Sequence, residues 1–473
     1  MKKQKLKSLA MKGGTYSIII TAIVIAIVVV INIIAAKIPA AYTNYDISST
    51  QLYSITSNTK AVVNALEKDI TIYWIVQSGE EDDVIENLLS KYDSLSGHVA
   101  VVKKNPDVYP TFAAQYTDET VANNSLIVES EDRSRYIAYD EIYVTNANMS
   151  TYSYDYSFDG EGAITSAIDY VVSEELPQLY VLEGHGESEL PTTFSDQLVK
   201  ENIETTSFSL LNEDEIPEEC DAILIYAPTS DISEDEKDIL AEYCENGGKL
   251  MVVAGPVKDT DLTNLYSILS DYGVEAVEGI AVETDRNYYA FQQPYILLPE
   301  IQSSDITDPL IEENYYAIIP LAAGLDVSNA DSTVTTLLST SETSYSKAAG
   351  YSLTTYDKED EDIDGPFALG VEITTGSDGA IIWYTSSYML DDMYNSYSSG
   401  ANLDLAINSL SSLIGESDAV SIRSKSLSYN YLTISDSTAS LLKTIMIGII
   451  PGIYIAIGIV VVVNRRRKQN EAV

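Results

Sequence analysis

Two long apolar runs bracket this chain of 473 residues. From Tyr16 to Ala36 only Ser17, Thr21 and Asn32 interrupt the hydrophobic pattern, and from Thr444 to Val463 no charged residue occurs. As a helix rising 1.5 Å per residue, each run spans roughly 30 Å, the thickness of a bilayer core. The pattern predicts transmembrane helices over residues 16–36 and 441–463, with short tails at 1–15 and 464–473. Pro451 and the glycines at 448, 452 and 458 fit such a helix, since membrane spans tolerate both residue types. The first run is read as a retained anchor and not a cleaved signal peptide. It is long for a signal core, and no clean small-x-small site follows it.

Between the runs the periodicity alternates between two and 3.6. Asp69 to Val76 (DITIYWIV) alternates and is β-branched, which predicts a strand. Asp82 to Ser94 predicts an amphipathic helix, His98 to Lys103 a second strand, and Ser125–Ser130 with Arg135–Tyr139 a hairpin. These make a small N-terminal α/β unit over 37–150. Polar, tyrosine-rich Thr151 to Ser157 predicts a linker. Then strands and helices alternate. Strands are expected at Gln178–Leu182, Thr205–Leu210, Ala222–Ala227 and Lys249–Ala254. Helices are expected at Glu161–Glu174, Thr192–Asn202, Ser233–Asn246 and Leu262–Tyr272. That rhythm predicts an α/β fold with a mainly parallel, doubly wound sheet over 151–420. Residues 275–365 show no clear period. Strands at Pro366–Thr374 and Ala380–Ser386 and a helix at Leu403–Ile414 would complete the sheet, and 421–440 reads as a polar linker.

Charge sets the orientation. Lys2, Lys3, Lys5, Lys7 and Lys12 precede the first run, and Arg465, Arg466, Arg467 and Lys468 follow the second. Basic flanks stay in the cytoplasm, so a two-pass topology puts both termini inside and the main domain outside the cell membrane. The stretch between the tails keeps 18 basic residues against 71 acidic ones. So negative a surface excludes nucleic acid as a partner and repels anionic headgroups. The chain has 35 tyrosines and 6 phenylalanines. Tyrosine packs as an aromatic yet keeps a polar tip for water, and tyrosine-rich faces stack on sugars.

Candidate chemistry is sparse. Glu183-Gly184-His185-Gly186-Glu187 follows a predicted strand, at the end where open α/β sheets bind ligands. A histidine between carboxylates can ligate a metal, relay a proton or meet a ligand or partner. With no second histidine nearby, a tight glycine turn explains the pattern more simply. Glu183, His185 and Glu187 are therefore carried only as a ligand- or partner-contact candidate. Cys220 precedes one strand and Cys244 ends the helix that follows it, so both fall at one sheet edge. A disulfide is open to them, though two separately buried thiols are the commoner outcome for such a pair. Asp360-Glu361-Asp362-Ile363-Asp364-Gly365 begins like a calcium loop, but position 12 is Val371 and a strand follows, which suits a solvated acidic turn better. His98, alone before a strand, is expected to pack. Gly247-Gly248-Lys249 is followed by Leu250 and not by Ser or Thr, so no phosphate-binding loop is present. No catalytic residue, metal ligand or cofactor site is assigned, and the chain reads as a non-enzyme.

The order of landmarks resembles the GldG family of gliding-motility-associated ABC transporter auxiliary proteins. Tyr45 to Lys60 (YDISSTQLYSITSNTK) is similar to the family's D-(I/L)-(S/T) … Y-S-(I/L)-(S/T)-x-x-T-K opening. Ile70–Trp74 (ITIYW), Glu161–Tyr170 (EGAITSAIDY), the EGHGE turn, Asp221–Pro228 with Gly247–Gly255, and Asn402–Leu410 (NLDLAINSL) follow in the family's order. The resemblance implies an auxiliary role beside an ABC-2-type permease and a separate ATPase, with the external domain engaging substrate or a cell-envelope glycan or protein. It also implies a sheet like that of class I glutamine amidotransferases. Their nucleophilic cysteine has no counterpart here, since Lys249–Ala254 runs into Gly255-Pro256-Val257. A stand-alone membrane-anchored glycan receptor or sensor is the alternative reading.

Overall fold

The computed structural model describes residues 21–33, 52, 54–148, 153–211, 215–415, 425–427, 443, 446 and 450–470. The expected tail 1–15, most of the 421–440 linker and the Tyr45–Gln51 part of the opening motif lie outside them. Residues 21–33 are helical, as is Ile450–Asn470. The remaining parts of the two predicted spans lie largely outside the described residues. Among the described residues no helix is long and apolar enough to cross a membrane. The chain divides into two compact units, Met1–Ser426 and Leu427–Val473.

The first unit opens on a four-stranded sheet in the order β2-β1-β3-β4, from β1 (Ile70–Ile75), β2 (Val99–Lys104), β3 (Ser125–Glu129) and β4 (Ser134–Ile137). The helix Asp83–Leu95 makes the crossover that a parallel β1–β2 pair requires. Asp82 starts this helix by accepting hydrogen bonds from the Val84 and Ile85 amides. Ile85, Leu88, Leu89 and Tyr92 recur at helical spacing and are all buried. The stretch expected to be a linker is a strand from Ser153 onward. β5 (Tyr143–Asn148) pairs antiparallel with β6 (Ser153–Phe158). Phe158 is buried, with its ring 5.1 Å from that of Tyr143, so an aromatic anchor holds a ribbon whose composition alone looked polar.

The large sheet has ten strands. Five run parallel in the order β8 (Glu204–Phe208), β7 (Gln178–Leu182), β9 (Ala222–Tyr226), β10 (Lys249–Val253) and Ala380–Tyr384. The other half is antiparallel and includes Ala368–Thr374, Val334–Ser339, Gly324–Asp326 and Glu275–Val277. The sheet is thus mixed, not mainly parallel. After the helix Thr263–Ser270 the chain places no long helix between neighbouring strands, so it must pair them antiparallel. The sheet is nevertheless doubly wound. Leu224, Tyr226, Met251 and Val253 point to a core shared with Phe194, Leu198, Leu405 and Leu410. Ile223, Ile225, Leu250 and Val252 point to the opposite core, with Leu240, Cys244, Leu265 and Leu269. Each such side chain, fully buried, contributes roughly 1.5–3 kcal/mol.

Glu161, in the first turn of the helix Gly160–Val172, joins the pieces. Its Oε1 accepts from the Thr56 amide at 2.6 Å and from Thr59 Oγ1 at 2.8 Å. Its Oε2 accepts from Lys425 Nζ at 2.9 Å, and Lys425 also donates to Ser54 O at 2.8 Å. Lys425–Ser426 pairs with β6. The segment entering this fold and the segment leaving it are therefore fastened to one buried carboxylate. Lys425→Met should lower stability by about 3–5 kcal/mol, because it strands that carboxylate. The double variant Lys425→Met/Glu161→Gln should recover part of the loss. Urea unfolding midpoints of the three proteins check this.

Candidate functional site

In an open α/β sheet the ligand crevice opens where strand order reverses, outside the carboxyl ends of the strands. Here β8 lies on one side of β7 and β9 on the other, so the reversal falls between β7 and β9. The Glu183–Glu187 turn follows β7, and Thr229-Ser230 follows β9. The turn fills the crevice. His185 O accepts from the Thr229 amide at 3.0 Å, from the Ser230 amide at 2.9 Å and from Ser230 Oγ at 2.9 Å. Gly186 has φ of +72°, and a Cβ there would stand 2.2 Å from Thr229 Oγ1. Glycine is required at this contact, which supports the turn reading of the motif.

His185 is 4% exposed. Its Nδ1 is 3.1 Å from Glu187 Oε1, and its Nε2 is 3.2 Å from Glu236 Oε2. Glu236 Oε1 is also 3.2 Å from Nε2, but without the alignment of a hydrogen bond. An imidazole with a carboxylate on each nitrogen uses both N–H donors only in its protonated form. Glu187 further closes the turn, because its Oε2 accepts from the Gly184 and His185 amides at 3.0 and 2.7 Å. Glu183 stays outside: it is exposed at the strand end, and only its amide is engaged, by Phe208 O. Of the three residues singled out in the sequence, the structure brings together His185 and Glu187 and replaces Glu183 by Glu236.

Glu236 owes its place to a capping box. Ser233 Oγ accepts from the Glu236 amide, and Glu236 Oε2 accepts from the Ser233 amide at 2.8 Å. The Ser-x-x-Glu spacing at the start of that helix was the available sign, though nothing local linked it to a histidine 51 residues earlier. Burial pushes the Glu236 carboxyl up, but the hydrogen bonds with Ser233 and the His185 charge outweigh it and hold the group below its ordinary range.

Cys220 and Cys244 are not joined, and both thiols are free. Cys220 Sγ faces Ala222 O at 3.4 Å and Tyr243 Oη at 3.7 Å. Tyr243 and Cys244 are adjacent on one helix, so when the tyrosine meets Cys220 its neighbour turns into the core. Burial pushes the Cys220 thiol to about 11 and the Cys244 thiol to about 12, which leaves neither as a ready nucleophile.

The acidic loop near Asp360 is not merely a solvated turn. It folds around Lys347, whose side chain is fully buried. The ammonium donates to Asp362 Oδ2 at 2.7 Å, Glu359 Oε2 at 2.7 Å and Asp357 O at 2.9 Å. Burial opposes the charge on Lys347, yet its two carboxylate partners raise it above the ordinary lysine value. Among the described residues no group of three or more His, Cys, Asp or Glu side chains is placed to hold a metal ion. His98, expected to pack, is exposed, and its Nδ1 lies 2.8 Å from Asp69.

A cleft of about 690 Å³, which no local sequence pattern marks, lies between the N-terminal sheet and the helices Thr192–Lys200 and Ala401–Ile414. Its two cations turn onto protein groups. Lys200 Nζ is 2.6 Å from Asp159 Oδ2, and Arg135 donates to Asn202 Oδ1 at 2.7 Å. Burial raises the Asp159 carboxyl despite Lys200 beside it, and raises Glu141, also in the lining.

Two outcomes test the His185 cluster. His185→Ala should cost about 1–3 kcal/mol, because two buried carboxylates each lose a hydrogen-bond partner; thermal unfolding at neutral pH measures it. A carboxylate held low stabilises the fold above its unfolded value of about 4.3 and loses that contribution as pH falls through its lower folded value. Glu236→Gln should therefore flatten the acid limb of a stability–pH curve below about pH 4.3.

No curated protein matches this chain. Among solved structures, the mmIFT52 N-terminal domain aligns at 16% identity and a TM-score of 0.36, covering 50% of this chain and 96% of that one. PurLQS from Thermotoga maritima aligns at 12% identity and 0.29, over 50% and 100%. A glutamine amidotransferase from Thermotoga maritima aligns at 8% and 0.29, over 51% and 99%. Likenesses this loose assign no activity. Residues 49–145 match a domain of unknown function, DUF7088. Residues 176–378, which hold β7, β8, β9 and β10, the His185 turn and both cysteines, match the family described as "ABC-type uncharacterized transport system", which supports the auxiliary-protein family without singling out its GldG member.

Proposed function

We propose that this protein is a non-catalytic auxiliary subunit of an ABC transport system. The observation that carries the reading is the family match over residues 176–378. In the finer form of the proposal, residues 16–36 and 441–463 anchor the chain beside an ABC-2-type permease, a separate subunit supplies ATP hydrolysis, and the domain between the anchors lies outside the cell. The apolar runs with their basic flanks support the anchors and their orientation. The lack of a phosphate-binding lysine motif in the sequence supports a separate ATPase.

A non-catalytic role is supported by the chemistry of the crevice. The position that would receive a substrate is occupied by the chain's own turn, and His185 spends both ring nitrogens on carboxylates. Neither cysteine sits at a strand-to-helix elbow, and both thiols are held protonated by burial. What the crevice lacks in access the inter-module cleft supplies, and that cleft suits contact with a partner or cargo segment better than bond-breaking.

Affinity purification of the tagged full-length chain in mild detergent, with mass spectrometry of what accompanies it, tests the proposal. The expected outcome is stoichiometric recovery of a polytopic permease and an ATPase carrying the phosphate-binding motif. Recovery of this chain alone would overturn the auxiliary reading in favour of a free-standing receptor.

A further inference from the structure

The loops beyond the parallel strands carry a connected array of aromatic side chains. Tyr351 Oη donates to Pro256 O, just past β10, at 2.9 Å. Tyr388 lies four residues beyond the strand Ala380–Tyr384, next to Ser387, whose Oγ accepts from the Gly255 amide beside Pro256 at 2.8 Å. The array thus lies at the carboxyl edge of the parallel strands, the edge that binds ligands in such sheets. It is beside β10 and Ala380–Tyr384, with β9 intervening between β10 and the β7 strand that carries the His185 turn.

Tyr388 O accepts from the Asp391 amide, at the start of the helix Asp392–Tyr397 that carries Tyr394 and Tyr397. Phe291 lies 4.6 Å from Tyr397, centroid to centroid, and Tyr316 Oη donates to Tyr397 O at 3.1 Å. Tyr394 is raised by burial first and then by its neighbours Tyr295, Asp391, Tyr388 and Tyr397. Tyr295 in turn lies 5.9 Å from Tyr356. Despite this mutual packing the array faces water: Phe291 is 51% exposed, Tyr316 50% and Tyr388 42%. A contiguous exposed aromatic surface of this kind marks a binding site.

Backbone strain points the same way. Phe291 and Gln292 have φ of +53° and +58°. Two successive side-chain-bearing residues in the left-handed region cost on the order of 1–3 kcal/mol each. The fold accepts that cost to hold a phenylalanine out over Tyr397, where it gains little burial.

The residue types select the occupant. A lipid chain would favour a wholly apolar surface, whereas these rings are tyrosines with one phenylalanine. Each tyrosine offers a flat face and a hydroxyl, which matches the C–H face and hydroxyl rim of a sugar ring. Charge selects further. Asp391 and Asp392 border the array at the start of the helix that carries Tyr394 and Tyr397. This rim disfavours an anionic polymer and favours an amine, which the ring faces also attract. We propose that the array binds an amino-sugar glycan chain, with Phe291, Tyr316 and Tyr388 stacking on its sugar rings. The proposal rests on the reading that this part of the chain faces the cell exterior.

The test uses the full-length chain in a detergent without a sugar headgroup. It is titrated calorimetrically with a glucosamine hexamer, an N-acetylglucosamine hexamer and a sulfated dextran oligomer. The expected result is binding of both amino-sugar hexamers, tighter for the free amine at low salt, and none of the sulfated oligomer. Phe291→Ala/Tyr316→Ala should weaken binding by about tenfold or more with an unchanged circular dichroism spectrum and melting temperature. Absence of binding at millimolar hexamer, preference for the sulfated oligomer, or undiminished binding by the double variant would overturn the proposal. If the double variant instead loses a co-purifying permease and neither hexamer binds, the array is a protein contact. The glycan proposal then fails while the auxiliary reading stands.

Discussion

The carboxylate of Glu161 is the constraint around which the first unit is arranged. It is 2% exposed and sits in the first turn of the helix between the two sheets. A buried charge is tolerated only when its oxygens are filled, and here they take the Thr56 amide, the Thr59 hydroxyl and the Lys425 ammonium. Those donors come from opposite ends of the described fold. The same helix reaches the central sheet through Ser166, whose hydroxyl meets Lys200 O, and through Asp169, which accepts from Asn202 at 2.8 Å. Movement of either flanking segment is thus felt at the helix, and the helix forms one wall of the cleft between the modules.

In the central sheet the chain itself occupies the place where open α/β sheets bind ligands. Its parallel half has the layout in which other proteins bind ligands at the strand reversal. The turn after β7 occupies that place, and the next helix begins with a glutamate that reaches back to the same histidine. A helix N-terminus attracts anions, and here the attracted anion is the side chain of Glu236 itself. The surface left to meet other molecules lies elsewhere, on the cleft wall and on the loops past β10.

The local elements were legible because they depend on local rules. β1, β7, β9 and β10 announce themselves by β-branched runs, and the crossover helix by Ile85, Leu88, Leu89 and Tyr92 at helical spacing. What escaped were pairings between distant residues. Nothing near His185 indicates Glu236, and nothing near Asp362 indicates Lys347. The antiparallel half of the sheet is built partly from strands of two or three residues, too short to carry a period. Thr151 to Ser157 reads as a linker because its polar and tyrosine content hides the strand β6 that Phe158 anchors. Glu183 looked equivalent to Glu187 in the motif, but Glu187 can fold back to the amides of Gly184 and His185 while Glu183 still belongs to the strand end.

The acidic loop around Lys347 has a consequence for how this surface responds to its surroundings. A loop ordered by a bound ion has an order that follows that ion's concentration, since mass action governs its occupancy. Lys347 is tethered by the chain, so it cannot be diluted, chelated or outcompeted in that sense. The carboxylates of Glu359 and Asp362 keep their counter-charge at any divalent concentration. The order of this part of a strongly anionic protein therefore does not depend on binding a divalent ion, where that of a calcium-dependent loop of similar sequence would.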